Sequence, residues 1–158
     1  MPEYDFADKL LAWHRNHGRH DLPWQHPRSA YRVWISEIML QQTQVRTVIP
    51  YFNAFMANFP DLPALAKASA DRVMQAWAGL GYYSRARNLH AAAKRCVELH
   101  GGCLPDDFEA LLALPGIGRS TAGAILSQAH GGRHAVLDGN VKRVLSRVFT
   151  PQGEAGSS

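Results

Sequence analysis

Cysteine is scarce in this chain, and long apolar runs are missing. The two cysteines, Cys96 and Cys103, form no Cys-x-x-Cys pair, which excludes a recognisable zinc or iron–sulfur site within this sequence. No apolar stretch approaches the length that crosses a membrane, and the first residues lack the apolar segment of a signal peptide. We therefore expect a cytoplasmic protein without a membrane partner and, by default, a monomer.

The length, the apolar content and the net charge of the chain favour a folded protein with an anionic partner. The 158 residues amount to one domain, or to one domain and part of another. Apolar residues make up 46% of them, which is enough for a hydrophobic core and argues against global disorder. A net charge of +4 favours an anionic partner only modestly, because many proteins without one carry a similar charge.

Helical periodicity dominates the chain, and strand signals are poor. Apolar residues at helical spacing predict a first helix that ends near Gly18 and further helices around 33–39 and 45–59. Helices are also predicted over 63–68, 71–78, 84–100, 106–113, 119–129 and 139–149. Residues 19–29 contain two prolines and are predicted to form a loop. The predicted fold class is therefore all-α.

Residues 114–125, Leu-Pro-Gly-Ile-Gly-Arg-Ser-Thr-Ala-Gly-Ala-Ile, predict two helices joined by a tight turn. We expect Gly116 and Gly118 to adopt backbone angles that residues with a Cβ resist. Ser120 and Thr121 are expected to cap the second helix. Unpaired N–H groups at that helix start would suit a phosphate oxygen of DNA of any sequence. An ordinary helix connection with a glycine C-cap explains the pattern equally well.

Glu37 is a carboxylate within the strongly apolar segment Val-Trp-Ile-Ser-Glu-Ile-Met-Leu. A helical glutamate that faces solvent is the ordinary interpretation. If this side chain faces a pocket instead, burial raises its pKa and lets it hold a proton near neutral pH.

Asp138 precedes the last predicted helix, where aspartate is a favoured N-cap. Backbone N–H groups at a helix start also stabilise a negative charge, so capping and catalysis are compatible. A carboxyl group that holds a proton, together with an ionised carboxylate, is the pair that glycosidic cleavage requires.

Two further segments carry side chains suited to DNA. Residues 41–44, Gln-Gln-Thr-Gln, offer amides that recognise base edges. Residues 79–83, Gly-Leu-Gly-Tyr-Tyr, offer an apolar or aromatic wedge for the space left by an extruded base. A solvated helix junction and a packed turn are the ordinary alternatives. Arg85 is interpreted as a phosphate contact or as ordinary surface.

Together these segments resemble the MutY family of A/G-specific adenine DNA glycosylases. The resemblance lies in four blocks that follow in order: residues 34–45, 79–89, 114–125 and 137–141. It implies the helix-hairpin-helix DNA glycosylase fold, with a six-helix bundle domain and an incomplete second helical domain. The implied activity is base-excision repair in a bacterial nucleoid: removal of adenine mispaired with 8-oxoguanine or guanine in double-stranded DNA.

The resemblance also implies roles for individual residues. Glu37 is the acid that protonates adenine as the bond breaks, Asp138 stabilises the positive charge on the sugar, and Asn140 supports the site. A second set of residues is implied to contact DNA: Gln42, Thr43, Leu80, Tyr82, Gly116, Gly118 and Ser120. Within this set, Gln42 and Thr43 approach the 8-oxoguanine, whereas Leu80 and Tyr82 lie near the intercalation point.

Ser120 distinguishes the chain from endonuclease III-like enzymes, which carry a lysine at the corresponding position. The lysine amine attacks the sugar and allows strand cleavage, whereas a serine forms no Schiff base. The chain is therefore predicted to be a monofunctional glycosylase. Two alternatives stay open: an endonuclease III-like glycosylase for oxidised pyrimidines, and a helix-hairpin-helix fragment that binds DNA without catalysis.

The C-terminal part departs from the family pattern. Full-length members hold a [4Fe–4S] cluster with four cysteines, and these cysteines are absent from this sequence, so no metal ligand is predicted. We predict an N-terminal helix on the cluster side over residues 1–22 and a bundle domain with the hairpin over 23–134. Residues 135–158 are predicted to begin an incomplete cluster-side domain.

Overall fold

The computed structural model describes residues 3–149, which contain nine helices and no strand within that range. The helices are α1 (Glu3–His17), α2 (Ala30–Leu40), α3 (Val45–Asn58), α4 (Leu62–Lys67), α5 (Ala70–Trp77), α6 (Ser84–Leu99), α7 (Phe108–Leu112), α8 (Arg119–His130) and α9 (Gly139–Phe149). The all-α prediction is confirmed, and each predicted helix is present. Within the described range, no helix is both long enough and apolar enough to cross a membrane.

The chain divides into two compact units, Leu22–Ala135 and Met1–Asp21 together with Val136–Ser158. The larger unit contains α2 to α8. The smaller unit contains α1 and α9, and the rings of Phe6 and Phe149 meet edge-on at 5.3 Å within it. The assignment of the smaller unit to a cluster-bearing domain stays a prediction.

Helix α2 is the most thoroughly buried helix of the larger unit. It packs against α3 and α8, while α4 and α5 pack against α6. Six of its eleven residues are buried, among them Trp34 and Ile35 with 0% of their surface exposed. Because neighbours cover α2 on most sides, its sequence is apolar almost all round rather than on one stripe.

The loop before α2 joins the core through an aromatic side chain. Trp24 is buried, and its ring meets the ring of Phe52 on α3 edge-on at 5.4 Å. Arg32 Nη2 donates to the carbonyl of Pro23 at 2.6 Å. Ser29 Oγ then caps α2 by accepting a hydrogen bond from Arg32 N. The loop therefore fixes the point at which α2 begins.

The turn between α7 and α8 depends on Gly116 but not on Gly118. Gly116 has φ +76°, and a Cβ at this position would lie 2.8 Å from Asn88 Cβ on α6. Gly118 has φ −92° and ψ −178°, an extended conformation open to any residue, and a Cβ there would meet open space. The expectation that both glycines are conformationally required is therefore wrong for Gly118.

The start of α8 also differs from the prediction. The N-cap is Gly118, and no side chain caps the helix. Ser120 and Thr121 already lie within the first turn of α8, because the helix begins at Arg119. They therefore do not supply the capping hydrogen bond expected of them.

His90 is a buried titratable residue on α6, with 6% of its surface exposed. Burial lowers the pKa of His90 below its ordinary value, and the nearby Lys94 adds to the shift. Hydrogen bonds with the backbone of Ala68 and Ala66 act in the opposite direction and are outweighed. The folded protein therefore favours a neutral imidazole at this position.

Replacing Gly116 with alanine should destabilise the fold by about 1–3 kcal/mol, because alanine resists positive φ and its methyl group would press on Asn88. Gly118→Ala is the matched control and should cost less than about 1 kcal/mol. Urea unfolding of both variants measures the difference. Equal free energies of unfolding for the two variants would contradict this account of the turn.

The stability of the protein should fall as the pH drops below about 6.5, the unfolded-state pKa of histidine. The unfolded chain takes up a proton there that the folded chain, with its lowered His90 pKa, binds only at lower pH. Urea unfolding midpoints at about pH 8 and about pH 5.5 measure the loss. His90→Gln should reduce the pH dependence, whereas His130→Gln, at an exposed histidine, should not.

Candidate functional site

Glu37 on α2 contacts α8 through its side chain. Its side chain is half-buried, while its neighbours Ser36 and Ile38 are buried. Gln128 Nε2, on α8, donates to Glu37 Oε1 at 3.3 Å. Glu37 is therefore partly exposed and also bonded to a neighbouring helix, so its catalytic role stays a prediction. The arrangement places a half-buried carboxyl group beside the amide of Gln128.

The first turn of α8 presents backbone N–H groups without a side-chain cap. Its first intrahelical hydrogen bond runs from Ala122 N to the carbonyl of Gly118 at 2.9 Å. Gly118 and Arg119 are exposed, and Ser120 is half-buried. Arg119 adds a positive charge close to the helix start, with its guanidinium 5.4 Å from the centre of the Phe108 ring. Such a helix start can bind an anion such as a phosphate group.

Asp138 caps α9, as the ordinary interpretation of this residue predicts. Its Oδ1 accepts a hydrogen bond from Val141 N at 2.8 Å, and its carbonyl accepts from Lys142 N at 2.9 Å. The residue is exposed, so the other carboxylate oxygen is not enclosed. Asn140 is also exposed, and its Oδ1 accepts from Arg143 Nη2 at 2.7 Å. Both residues belong to the smaller unit.

The segment between α2 and α3 leaves Gln42 exposed. Gln42 has φ +57°, a left-handed conformation that is uncommon outside glycine. Thr43 is half-buried, and its hydroxyl donates to the carbonyl of Gln41 at 3.4 Å. The segment thus has a defined turn geometry, with the Gln42 amide available to a partner.

The turn at 79–83 places Leu80 and Tyr82, the two residues expected near the intercalation point, in different surroundings. Leu80 is only 7% exposed and belongs to the core, whereas Tyr82 is 63% exposed. Tyr82 has φ +49°, and Trp77 Nε1 donates to the carbonyl of Gly81 just before it at 3.2 Å. Tyr82 is therefore the side chain presented to solvent, and Leu80 holds the base of the turn.

Sequence reasoning missed the contacts of Arg85. This residue is half-buried at the start of α6, and its Nη1 donates to carbonyls of Ile38 and Gln41, both at 2.7 Å. Burial lowers its pKa, and Tyr82 opposes that effect. No signal in the sequence distinguishes Arg85 from exposed arginines of the same helix, because its partners are backbone atoms about 45 residues away.

A small cavity of about 70 Å³ lies beside these contacts. It is lined by side chains and backbone from α2, α6 and the hairpin, including Trp34, Arg85, Asn88 and Gly116. The indole N–H of Trp34 is buried and has no hydrogen-bond partner among the residues that the structure describes. A polar cavity of this size can hold ordered water beside the Trp34 indole N–H.

The residues present do not fit an iron–sulfur cluster of the kind the resemblance implies. A [4Fe–4S] cluster takes four cysteine ligands, and the chain has two cysteines. Cys96 is buried within α6, where burial raises its thiol pKa to about 11. Among the described residues, no group of three or more His, Cys, Asp or Glu side chains could hold a metal ion.

Comparison with known proteins identifies the family of this chain. Residues 35–157 match the model of the HhH-GPD superfamily base excision DNA repair proteins. The chain is 51% identical to the adenine DNA glycosylase of Homo sapiens over 152 residues, covering 90% of this chain and 28% of that protein. It is 48% identical to the adenine DNA glycosylase of Buchnera aphidicola subsp. Acyrthosiphon pisum (strain APS) over 153 residues, covering 97% of this chain and 44% of that protein.

The fold has a counterpart among solved structures as well. A thermostable thymine-DNA glycosylase superposes with a TM-score of 0.84 at 28% identity, covering 90% of this chain and 66% of that one. The chain spans less than half the length of the two adenine glycosylases named above. The family match nevertheless extends over most of the chain, from within α2 to beyond α9, and it includes the hairpin. The chain belongs to the HhH-GPD superfamily of base excision DNA repair proteins.

Proposed function

We propose that this chain is an adenine DNA glycosylase that hydrolyses the N-glycosidic bond of adenine mispaired with 8-oxoguanine or guanine. The observation that carries the proposal is the setting of Glu37: a half-buried carboxyl group on an apolar helix, supported by Gln128 on α8. Helix α8 also begins at the hairpin turn. The identity of 48–51% to named adenine DNA glycosylases supports the choice of adenine.

In this proposal Glu37 acts as the general acid. Adenine leaves poorly as an anion, so a proton delivered to its ring as the bond to the sugar breaks makes it a better leaving group. This role requires that Glu37 carries the proton when the extruded base enters the site. The Gln128 amide would keep the carboxyl group in one orientation while the extruded base occupies the site.

Asp138 is proposed to stabilise the sugar. Loss of the base leaves positive charge on the sugar ring, and an ionised carboxylate offsets this charge. Val141 N already donates to one carboxylate oxygen, which orients the group. Asn140 is proposed to support this region. Water then bonds to the sugar carbon and gives up one proton, which restores the protonated Glu37 carboxyl group, and the products are free adenine and an abasic site.

The remaining residues are proposed to bind the DNA. The uncapped start of α8, with Gly116, Gly118 and Ser120, would bind a phosphate group through backbone N–H groups. Gln42 and Thr43 would contact the base opposite adenine, and the exposed Tyr82 would enter the stack beside it. Leu80 would support Tyr82 from the core rather than enter the DNA.

Such an enzyme works on chromosomal DNA, so we propose the nucleoid of a bacterial cytoplasm as its location and a monomer as its working form. The serine at position 120 offers no amine to attack the sugar. The proposed reaction therefore stops at the abasic site without breaking the strand.

A labelled duplex with adenine opposite 8-oxoguanine should yield strand breaks only after hot alkali, because base removal leaves an alkali-labile abasic site. Single-turnover cleavage with and without alkali is the measurement. A duplex with cytosine opposite 8-oxoguanine is the control and should remain intact. Binding without any break would support a DNA-binding fragment instead, and breaks without alkali would support endonuclease III-like chemistry.

Glu37→Gln and Asp138→Asn should each lower the excision rate by about 100-fold or more, the usual effect of removing a general acid or a charge-stabilising group. Both changes preserve local hydrogen bonding: glutamine can still accept from Gln128, and asparagine is as good an N-cap as aspartate. DNA binding, measured by fluorescence anisotropy, should persist.

Glu98→Gln, at an exposed carboxylate on α6, is the matched control and should leave the excision rate unchanged. If Glu37→Gln or Asp138→Asn weakened binding as much as excision, these carboxylates would be structural rather than catalytic.

A further inference from the structure

Arg85 joins the end of the Glu37 helix to the turn that carries Tyr82. Its Nη1 donates to the carbonyls of Ile38 and Met39, at 2.7 and 3.1 Å, and to that of Gln41 at 2.7 Å. Its Nη2 donates to the carbonyl of Gly81 at 3.3 Å. One guanidinium group therefore contacts two segments that are about 40 residues apart in sequence.

The contacts with α2 satisfy a general need of helix ends. The last carbonyl groups of a helix have no intrahelical partner, and they carry partial negative charge. A cation at this end is stabilising, and a planar guanidinium can serve several carbonyls at once, which a lysine amine does less well. Arg85 supplies these hydrogen bonds from α6, so the end of α2 depends on a different helix.

The contacts with the turn are aromatic as well as polar. The guanidinium carbon of Arg85 lies 5.3 Å from the ring centre of Trp77 and 5.6 Å from that of Tyr82. Trp77 is fully buried, whereas Tyr82 is exposed and has a left-handed backbone. The Arg85 guanidinium therefore contacts both a buried ring of the core and an exposed ring of the turn, and these contacts favour one position of the Tyr82 ring.

We propose that Arg85 is a positioning residue that sets the geometry of residues 41–44 relative to Tyr82. In this role it determines how strictly the protein discriminates the base opposite adenine. The inference rests on the proposed function, which places Gln42, Thr43 and Tyr82 at that base. The contacts of Arg85 themselves are independent of that function.

A phosphate contact is the competing role for an arginine in this position. Both terminal nitrogens of Arg85 already donate to backbone carbonyls, so a phosphate group would have to displace them. The two roles also differ in their salt dependence. Loss of one phosphate contact reduces the slope of log affinity against log salt by about one, whereas loss of a positioning residue leaves that slope unchanged.

The first experiment tests the contacts without reference to catalysis. Hydrogen–deuterium exchange is compared in Arg85→Gln and in Arg95→Gln, which removes the same charge from an exposed position of α6. Peptides covering residues 38–44 and 79–84 should exchange faster in Arg85→Gln and at the wild-type rate in Arg95→Gln. Unchanged exchange of both peptides in Arg85→Gln would overturn the proposal.

The second experiment tests how well the protein discriminates between bases opposite adenine, at a temperature well below that at which the protein unfolds. Single-turnover excision rates are measured for adenine opposite 8-oxoguanine and for adenine opposite cytosine. The ratio of these rates should fall about tenfold in Arg85→Gln, comparable to losing a charge-assisted hydrogen bond, with the salt slope unchanged. Arg85→Lys should recover part of the ratio, and it serves as the test if the glutamine variant does not fold.

The outcomes separate the two proposals. If the wild-type protein excises no adenine, the proposed function fails, and the exchange experiment still decides whether Arg85 positions the two segments. If excision occurs but the rate ratio is unchanged in both Arg85 variants, Arg85 does not govern discrimination. A salt slope reduced by about one, with unchanged exchange, would assign Arg85 to a phosphate group instead.

Discussion

The burial of α2 is the constraint on which the larger unit depends. A helix packed against α3 and α8 must be apolar on nearly every face, and α2 satisfies this with Val33, Trp34, Ile35, Ile38 and Met39. Glu37 is the one acidic residue of this helix, and its half-buried side chain accepts a hydrogen bond from Gln128 on α8. Fold and proposed chemistry thus derive from one feature, a core helix that carries a single acidic residue.

Much of the fold could be predicted from sequence because the determining signals are local. Apolar spacing at helical period gives each helix, and the Gly-Pro-rich segments give the connections between them. The capping role of Asp138 was also predictable, since an aspartate immediately before a helix interacts with N–H groups only three residues away. Such interactions do not require knowledge of which helices pack together.

The parts that sequence did not predict depend on tertiary contacts. Gly116 and Gly118 look alike in the sequence, yet only Gly116 faces another helix, through Asn88. Leu80 and Tyr82 share one turn, but the core encloses the first and leaves the second at the surface. Arg85 donates hydrogen bonds to carbonyl groups that are about 45 residues away in sequence. Every residue has a backbone carbonyl, so the amino-acid sequence does not indicate which ones Arg85 contacts. The catalytic and DNA-binding roles themselves stay predictions.

The hydrogen bond between Gln128 and Glu37 has a mechanical consequence. Gln128 lies nine residues after Arg119 on the same helix, so a continuous α8 holds the two about 13 Å apart, at about 1.5 Å per residue. A rigid rod of this length fixes the spacing between its uncapped start and the carboxyl group. In a DNA-bound enzyme, this spacing would set the distance between a phosphate group bound at the start of α8 and the extruded base beside Glu37. No flexible loop would lie between these two points.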